Sequence, residues 1–452
     1  MGRCCVVRSA ARVVPGATPH RVTRADGVRR MPGGGGTKRV RIAVVTDVVV
    51  IGAGLSGLAA ARRLTAAGLA VRVLEAGSAA GGRVRTDTVD GFRLDRGFQV
   101  LCPAYPAVPH EFDVPALDLR PFTRGVGVFR AGRVQRLSFD LRGVASIPTR
   151  VVGPADAVAV AALAARDALA AAVRLKRRAD RPTLDELRHA GVSPTLVDRI
   201  LRPFLAGVFL EDRLDTSGRF FHLLWRSFVR GGAALPARGM QALPDQLAAS
   251  LEVDYEVRVD RITDDGVVTV DGRRVRASTV LVATDADSAA RLCGTRAPTW
   301  HAATTFYHAT RSLRGVPPLL LLDPDGGVLA TTGPVSAVAP DYAPPGATLV
   351  ATLVLGVPDD PVTAERLVRG RLDRLYGTTE WDHLRTYPIT RALPTMPAPH
   401  PLHRPVRLGP RRYVCGDHRA TSSIQGALTS GRRAAQAILT DLDVQEGQRD
   451  RG

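Results

Sequence analysis

Lysine is almost missing from this chain: Lys38 and Lys176 are the only two, and the other 60 of its 62 basic residues are arginines. With alanine, valine and glycine so abundant, that bias is what a GC-rich genome writes, and the arginine excess is read first as coding bias. Aromatic residues are scarce too, at 5%. The five cysteines (Cys4, Cys5, Cys102, Cys293, Cys415) form no C-x-x-C pair and no metal-ligand spacing, so no metal centre is built on them. An odd, scattered set fits a reduced, cytoplasmic protein. No uncharged apolar run reaches the ~18 residues of a membrane span. The apolar stretch from Ile42 to Ala61 contains Asp47 and three regularly spaced glycines, and Arg29-Arg30 leads into Met-Pro-Gly. Neither a secretory nor a twin-arginine signal is read there. The chain has no internal repeat.

What remains is ample for a folded protein. At 452 residues with 45% hydrophobic content, the chain suits two substantial domains. The net charge of +19 is uneven: residues 1–46 hold ten basic side chains against Asp26 alone, a net of +9. Such an arm can bind the phosphates of nucleic acid or anionic lipid. Pro32 and the run Gly33 to Gly36 look like linker, and no aromatics interleave the charges. The expectation is therefore a disordered leader and no nucleic-acid partner.

Val48 to Ile51 is an unbroken β-branched run, which reads as a buried parallel strand. Gly52-Ala53-Gly54-Leu55-Ser56-Gly57 follows, then an Ala-rich helix to about Ala67 that Gly68 stops. Ala70 to Leu74 is a second strand ending at Glu75, which completes a βαβ unit. A hairpin-like stretch covers Arg83 to Val100. Helical patterns follow at 155–178 (interrupted at Arg166-Asp167), 184–190, 194–205 and 217–229. Period-two alternation runs from Leu251 to Asp271, with an apolar strand over Ser278 to Thr284. Residues 303–355 read as several strands and Ala364 to Tyr376 as a helix. The chain closes with a strand at Arg412 to Cys415 and a helix from about Ile424 to Leu439.

The first βαβ unit carries the chemistry. Gly52 permits a tight turn, Gly54 lets the backbone approach a pyrophosphate, and Gly57 lets the helix pack on the strand. The phosphate then sits on the helix N-terminus, beside Leu55 and Ser56. Glu75, with Ala76 after it, stands where a carboxylate hydrogen-bonds both ribose hydroxyls. NAD and FAD share that half. Downstream features favour FAD: Gly81-Gly82-Arg83 to hold the diphosphate, and Gly97-Phe98 within reach of the flavin ring. Gly416-Asp417 follows an apolar strand, placing a carboxylate for the ribityl chain that NAD lacks. The last helix has one apolar face, and Ser422 or Ser423 can cap it. Its positive N-terminal end suits the anion of a reduced flavin.

These segments resemble the FAD-dependent amine oxidase superfamily, which includes protoporphyrinogen oxidases and phytoene desaturases. The matching pieces are VVVIGAGLSGLAAARRL, VLEAGSAAGGRV, LDRGFQV, LPARGMQALPDQLA, VDRI, VLVATDA and YVCGDHRATSSIQGALTSGRRAAQAIL. The resemblance implies an α/β fold, with a Rossmann-type (glutathione-reductase-like) FAD domain interleaved with an α+β substrate domain. The FAD domain is expected over 46–105, 232–295 and 405–440, the substrate domain over 106–231 and 296–404, and a tail over 441–452. It also implies that Val259 meets the adenine through its backbone. Ile424, followed by Gln425, offers its amide to the flavin C2 carbonyl.

Such enzymes pass a hydride from a substrate carbon to flavin N5. Many amine oxidases of the superfamily place a lysine near N5, and neither Lys38 nor Lys176 matches that position. Residues 202–209 and the later Phe220, Phe221, Trp225 and Phe228 look more like the desaturase and protoporphyrinogen-oxidase branch. An aromatic series of this kind is more often core than pocket. The expected activity is dehydrogenation of an apolar organic molecule, polyene or cyclic, with oxygen or a quinone as acceptor. Oxidation of a CH–NH group is the alternative. His222, His301 and His308 are candidate bases, none of them assigned, and Cys415 reads as a small core residue. A peripheral membrane contact through the helix over 155–178, apolar then basic, is the weaker reading of a core helix with an exposed basic end.

Overall fold

The computed structural model describes residues 46–130, 133–137, 153–313, 315–323, 327 and 329–449. The basic leader at 1–45 lies outside them.

Val48, Val49 and Val50 are all fully buried, as an unbroken β-branched run requires when both faces of its strand are covered. They belong to β1 (Thr46–Ile51), which pairs in parallel with β2 (Val71–Leu74) on one side. On the other side it pairs in parallel with β4 (Arg274–Val282), in the register Val50↔Leu281. β3 (Val253–Asp254) extends the sheet beyond β2, and β5 (Arg412–Val414) extends it beyond β4. The parallel order β3-β2-β1-β4-β5 is that of a Rossmann sheet. The first half of β4 also pairs antiparallel with Gly266–Thr269, which pairs with Val259–Thr263.

Between β1 and β2 runs α1 (Leu55–Ala66), with Leu58 and Leu64 fully buried; it ends where Gly68 takes a positive φ of 91°. The second sheet has seven strands, at 133–137, 126–130, 320–322, 331–333, 348–355, 300–310 and 382–394 in that spatial order. A helical layer containing α2 (Arg202–Phe209) and α3 (Gly218–Gly231) buries its aromatic face against the 126–128 and 320–322 strands. The Ser217 hydroxyl caps α3 by accepting from the Phe220 amide at 3.3 Å. The C-terminal α4 (Ile424–Arg449) lies against α1. Their approach is close: a Cβ on Gly431 would fall 2.1 Å from the Ser56 carbonyl oxygen.

Two sequence expectations are corrected, and one element is added. The helical pattern over 155–178 is two helices, Pro154–Leu169 and Ala172–Lys176, and the break falls at Ala170, not at Arg166-Asp167. Asp167 is fully buried inside the first helix because His222 binds it at 2.6 Å. Secondly, α4 does not stop at Leu439 or leave a free tail from 441. Asp441 accepts from Arg407 Nε at 2.9 Å and from the Tyr413 hydroxyl at 2.6 Å, which fastens the extra turns to β5. The added element is a strand over residues 382–394, which the pattern does not announce.

Candidate functional site

The site forms where the β1–α1 turn, the 81–83 turn and the loop after β5 converge. The Gly81 amide donates to the Ala53 carbonyl at 2.8 Å, laying one glycine turn on the other. At Gly57 a Cβ would lie 2.1 Å from the Gly52 oxygen, so only glycine lets α1 start this close to β1. Gly54 differs. Its φ of −72° and ψ of 169° suit any residue, and a Cβ there would meet no protein atom within 4 Å. Neither backbone nor packing asks for glycine at 54; open space lies over it, at the N-terminus of α1. As N-cap, Gly54 also gives the first-turn amides of Leu55, Ser56 and Gly57 no side-chain acceptor.

Glu75 stands at the mouth of this cradle. One carboxylate oxygen accepts from the Ala53 amide and the other from the Gly77 amide, both at 2.7 Å. Its own carbonyl accepts from the Val257 amide at 2.8 Å, which ties the approach to Val259 to the same place. The Val259 carbonyl accepts from Arg291 Nη2 at 3.3 Å. Ala76 is exposed beside Glu75.

Across the cradle, Arg83 Nη2 meets Asp417 at 2.6 Å and Nη1 donates to the Ala392 carbonyl at 3.0 Å. Its guanidinium lies 5.5 Å over the Trp300 ring, a partner that no local motif announces. Burial opposes the Arg83 charge, but Asp417 more than restores it, leaving the pKa above the ordinary value. Gly82 rests on Gly54, where its Cβ would be 3.6 Å from the Gly54 Cα. Gly416 leads into Asp417, and His418 beside it is a residue that the motif reading passed over. Both His418 ring nitrogens are buried without a partner among the described residues. Burial pushes its pKa down to about 4 against the pull of Asp417, so the ring is neutral at pH 7.

Gly97 and Phe98 come next to the second sheet: the Phe98 amide donates to Thr305 Oγ1 at 3.0 Å, and Gly97 lies against Ile389. At the start of α4, Ser423 is the capping residue, its hydroxyl accepting from the Gly426 amide at 3.0 Å. Ser422 turns away to donate to the Pro394 carbonyl. The Ile424 and Gln425 amides therefore lie in the first turn of a long helix, where no intrahelical acceptor exists. The Gln425 side chain is otherwise engaged, with the Ala107 amide at 2.9 Å and the Thr429 hydroxyl at 2.8 Å.

Two apolar cavities flank α2. The larger, about 40 Å³ and partly open to solvent, lies between Phe204, Trp225, Phe228, Phe122, Arg124 and Leu320. The smaller, about 10 Å³, lies between Phe209, Phe220, His301, Leu393, Met396 and Ser422. The aromatic series is thus partly core and partly cavity wall. His301 faces the smaller cavity, and burial lowers its pKa. His222 is held between Asp167 and Glu186, and His308 meets Glu365 at 3.0 Å, so both are structural. Cys415 is fully buried, its thiol pushed up to about 12, as an inert core residue should be. Among the described residues no group of His, Cys, Asp or Glu is arranged for a metal.

Asp95 joins the parts around the cradle. Buried without a cation, it accepts from Thr86 Oγ1 (2.5 Å), the Met240 amide (3.0 Å) and the Tyr342 hydroxyl (2.8 Å). Burial raises its pKa to about 6, although those three donors favour the charged form. The native state therefore holds the proton more tightly than the unfolded chain does. That stabilising contribution is full below the unfolded pKa of 3.8 and is lost as pH rises through about 6. The difference amounts to something on the order of 3 kcal/mol. The melting-temperature gap between wild type and Asp95→Asn is expected to move against the wild type between about pH 4.5 and 7. A gap independent of pH contradicts this.

A parallel sheet of this order, a glycine cradle opening its first helix and a carboxylate past its second strand define a Rossmann protein that binds a dinucleotide. The chain belongs to the family described as flavin containing amine oxidoreductase, which matches residues 55–439 and comprises FAD-dependent oxidoreductases. Putrescine oxidase of Kocuria rosea is 54% identical over 61 residues, 14% of this chain and only 13% of that protein. Coproporphyrinogen III oxidase of Propionibacterium freudenreichii subsp. freudenreichii is 27% identical, with 65% of each chain covered. Among solved structures, cyclohexylamine oxidase from Brevibacterium oxydans IH-35A superposes with a TM-score of 0.67. It is 17% identical, with 88% of this chain and 100% of that one covered, a likeness of fold. Among the described residues no helix is long and apolar enough to cross a membrane.

Proposed function

We propose that this protein dehydrogenates an apolar organic molecule, polyene or cyclic, and passes the electrons on to oxygen or a quinone. The observation that carries this is the lining of the two cavities: neither contains a carboxylate. A protonated amine there would be a buried charge without a counter-charge, which is costly. An apolar molecule meets no such penalty. Lys176 sits on an exposed helix end and lines neither cavity.

The place of each residue supports the role assigned to it here. Gly52, Gly54, Leu55, Ser56 and Gly57 hold the diphosphate with backbone amides, and Gly82 and Arg83 close over it. Glu75 and Ala76 hold the adenine ribose, and the Val259 backbone meets the adenine. Gly416 and Asp417 hold the ribityl chain, with His418 offering a ring nitrogen beside it. Ile424 and Gln425 bring their amides to the flavin edge, while Gly97 and Phe98 meet the ring. When bound, FAD supplies the hydride acceptor. The cavity walls orient the substrate and exclude water. The two sheets support a division into an FAD domain at 46–105, 232–295 and 405–440 and a substrate domain at 106–231 and 296–404.

Anaerobic mixing tests this reading. A polyene or a porphyrinogen is expected to bleach the flavin at least about tenfold faster than primary amines or polyamines, some 1.4 kcal/mol of barrier. Fast bleaching by a primary amine, with none by the apolar compounds, overturns it.

A further inference from the structure

Arg404, Arg419 and Arg433 come from three segments and meet. The Arg404 amide donates to the Arg419 carbonyl at 2.9 Å, and Arg433 Nη2 donates to the Arg404 carbonyl at 3.3 Å. Arg419 Nη2 donates to the Pro405 carbonyl. Lys176 belongs to the same neighbourhood: after burial, the charges of Arg433 and Lys176 both lower the His403 pKa.

Arginines nearby are neutralised. Arg407 meets Asp441 at 2.9 Å, Arg432 meets Glu111 at 3.6 Å, and Arg219 meets Asp180 at 3.5 Å. Among the described residues, Lys176, Arg404, Arg419 and Arg433 have no such carboxylate. Yet Arg419 is only 8% exposed, and its Nε and the Arg433 Nη1 are buried without a hydrogen-bond partner. Burial, then repulsion from Arg404 and Arg433, depresses the Arg419 pKa. Buried like charges with unpaired N–H groups are costly, and a bound oxyanion removes both costs together.

We propose that Arg404, Arg419 and Arg433, with Lys176 at the edge, form a second anion site that takes a phosphate group. Guanidinium forks match phosphate oxygens, and the three or four positive charges exceed what one carboxylate neutralises. The phosphate belongs either to a soluble phosphate ester or to a phospholipid headgroup. The proposal does not depend on what the cavities bind.

The test is thermal unfolding of the FAD-loaded protein in inorganic phosphate and in sodium chloride of equal ionic strength and pH. Phosphate is expected to raise the midpoint by about 2 °C over chloride. Arg433→Gln and Arg404→Gln should each lose that shift and keep their FAD content. In chloride each should unfold at the same temperature as wild type or higher, because a repulsion has been removed. No phosphate-specific shift, or an equal shift in wild type and both variants, overturns the proposal. Sedimentation with phosphatidylcholine vesicles, with and without phosphatidylglycerol, identifies the source. Cosedimentation that needs phosphatidylglycerol and both arginines identifies a lipid headgroup. A phosphate shift without cosedimentation identifies a soluble phosphate ester.

Discussion

Replacing Glu75 by alanine is expected to weaken FAD binding at least about tenfold, read by quenching of FAD fluorescence during titration of the apoprotein. Two contributions add. The carboxylate orders the cradle itself, holding the Ala53 and Gly77 amides at 2.7 Å each. It then has lone pairs left for the ribose hydroxyls. Charge-assisted hydrogen bonds contribute about 1.5–3 kcal/mol each, so losing even one accounts for the tenfold change. Glu75→Gln keeps the length and one acceptor oxygen and should fall between wild type and alanine. An unchanged dissociation constant for Glu75→Ala would show that the residue serves only to close the turn.

The glycines separate folding from binding still more sharply. Gly57→Val drives a side chain into the Gly52 carbonyl, where a Cβ has only 2.1 Å, and is expected to yield little folded protein. Gly54→Val has room in the protein and a permissive backbone, so the apoprotein should melt within about 1 °C of wild type, as harmless surface substitutions do. Its side chain would fill the space over the α1 N-terminus that a diphosphate needs. FAD affinity is therefore expected to fall by about a hundredfold or more, some 2.7 kcal/mol. A folded Gly54→Val protein that binds FAD normally would mean that the diphosphate lies elsewhere.

The parts legible in the sequence are those whose local signal has no competitor. Val48 to Ile51 has no polar residue to turn outward, so a doubly covered strand is the only reading, and the glycine spacing after it fixes the turn. The apolar face of α4 is equally plain. The strand at 382–394 is hidden for a physical reason. It is the edge of its sheet, mostly half-exposed, and carries Pro388 and Pro394, which an edge tolerates and a central strand does not. Asp167 reads as a break because a carboxylate among alanines looks solvent-bound. Its partner, His222, is 55 positions away and no local pattern supplies it. The same holds at the candidate site. Gly416-Asp417 is visible as a motif, but the Arg83–Asp417 pair spans 334 positions and Trp300 joins it only through the fold. The three arginines of the proposed second anion site are hidden as well, since arginine is common everywhere in this chain.

The absorption spectrum of the purified protein, followed by chromatography of what acid releases, tests the central claim most directly. The account predicts a yellow protein that gives up intact FAD in a one-to-one ratio, since no residue is assigned to a covalent flavin link. A colourless protein that takes up no FAD on reconstitution would contradict it.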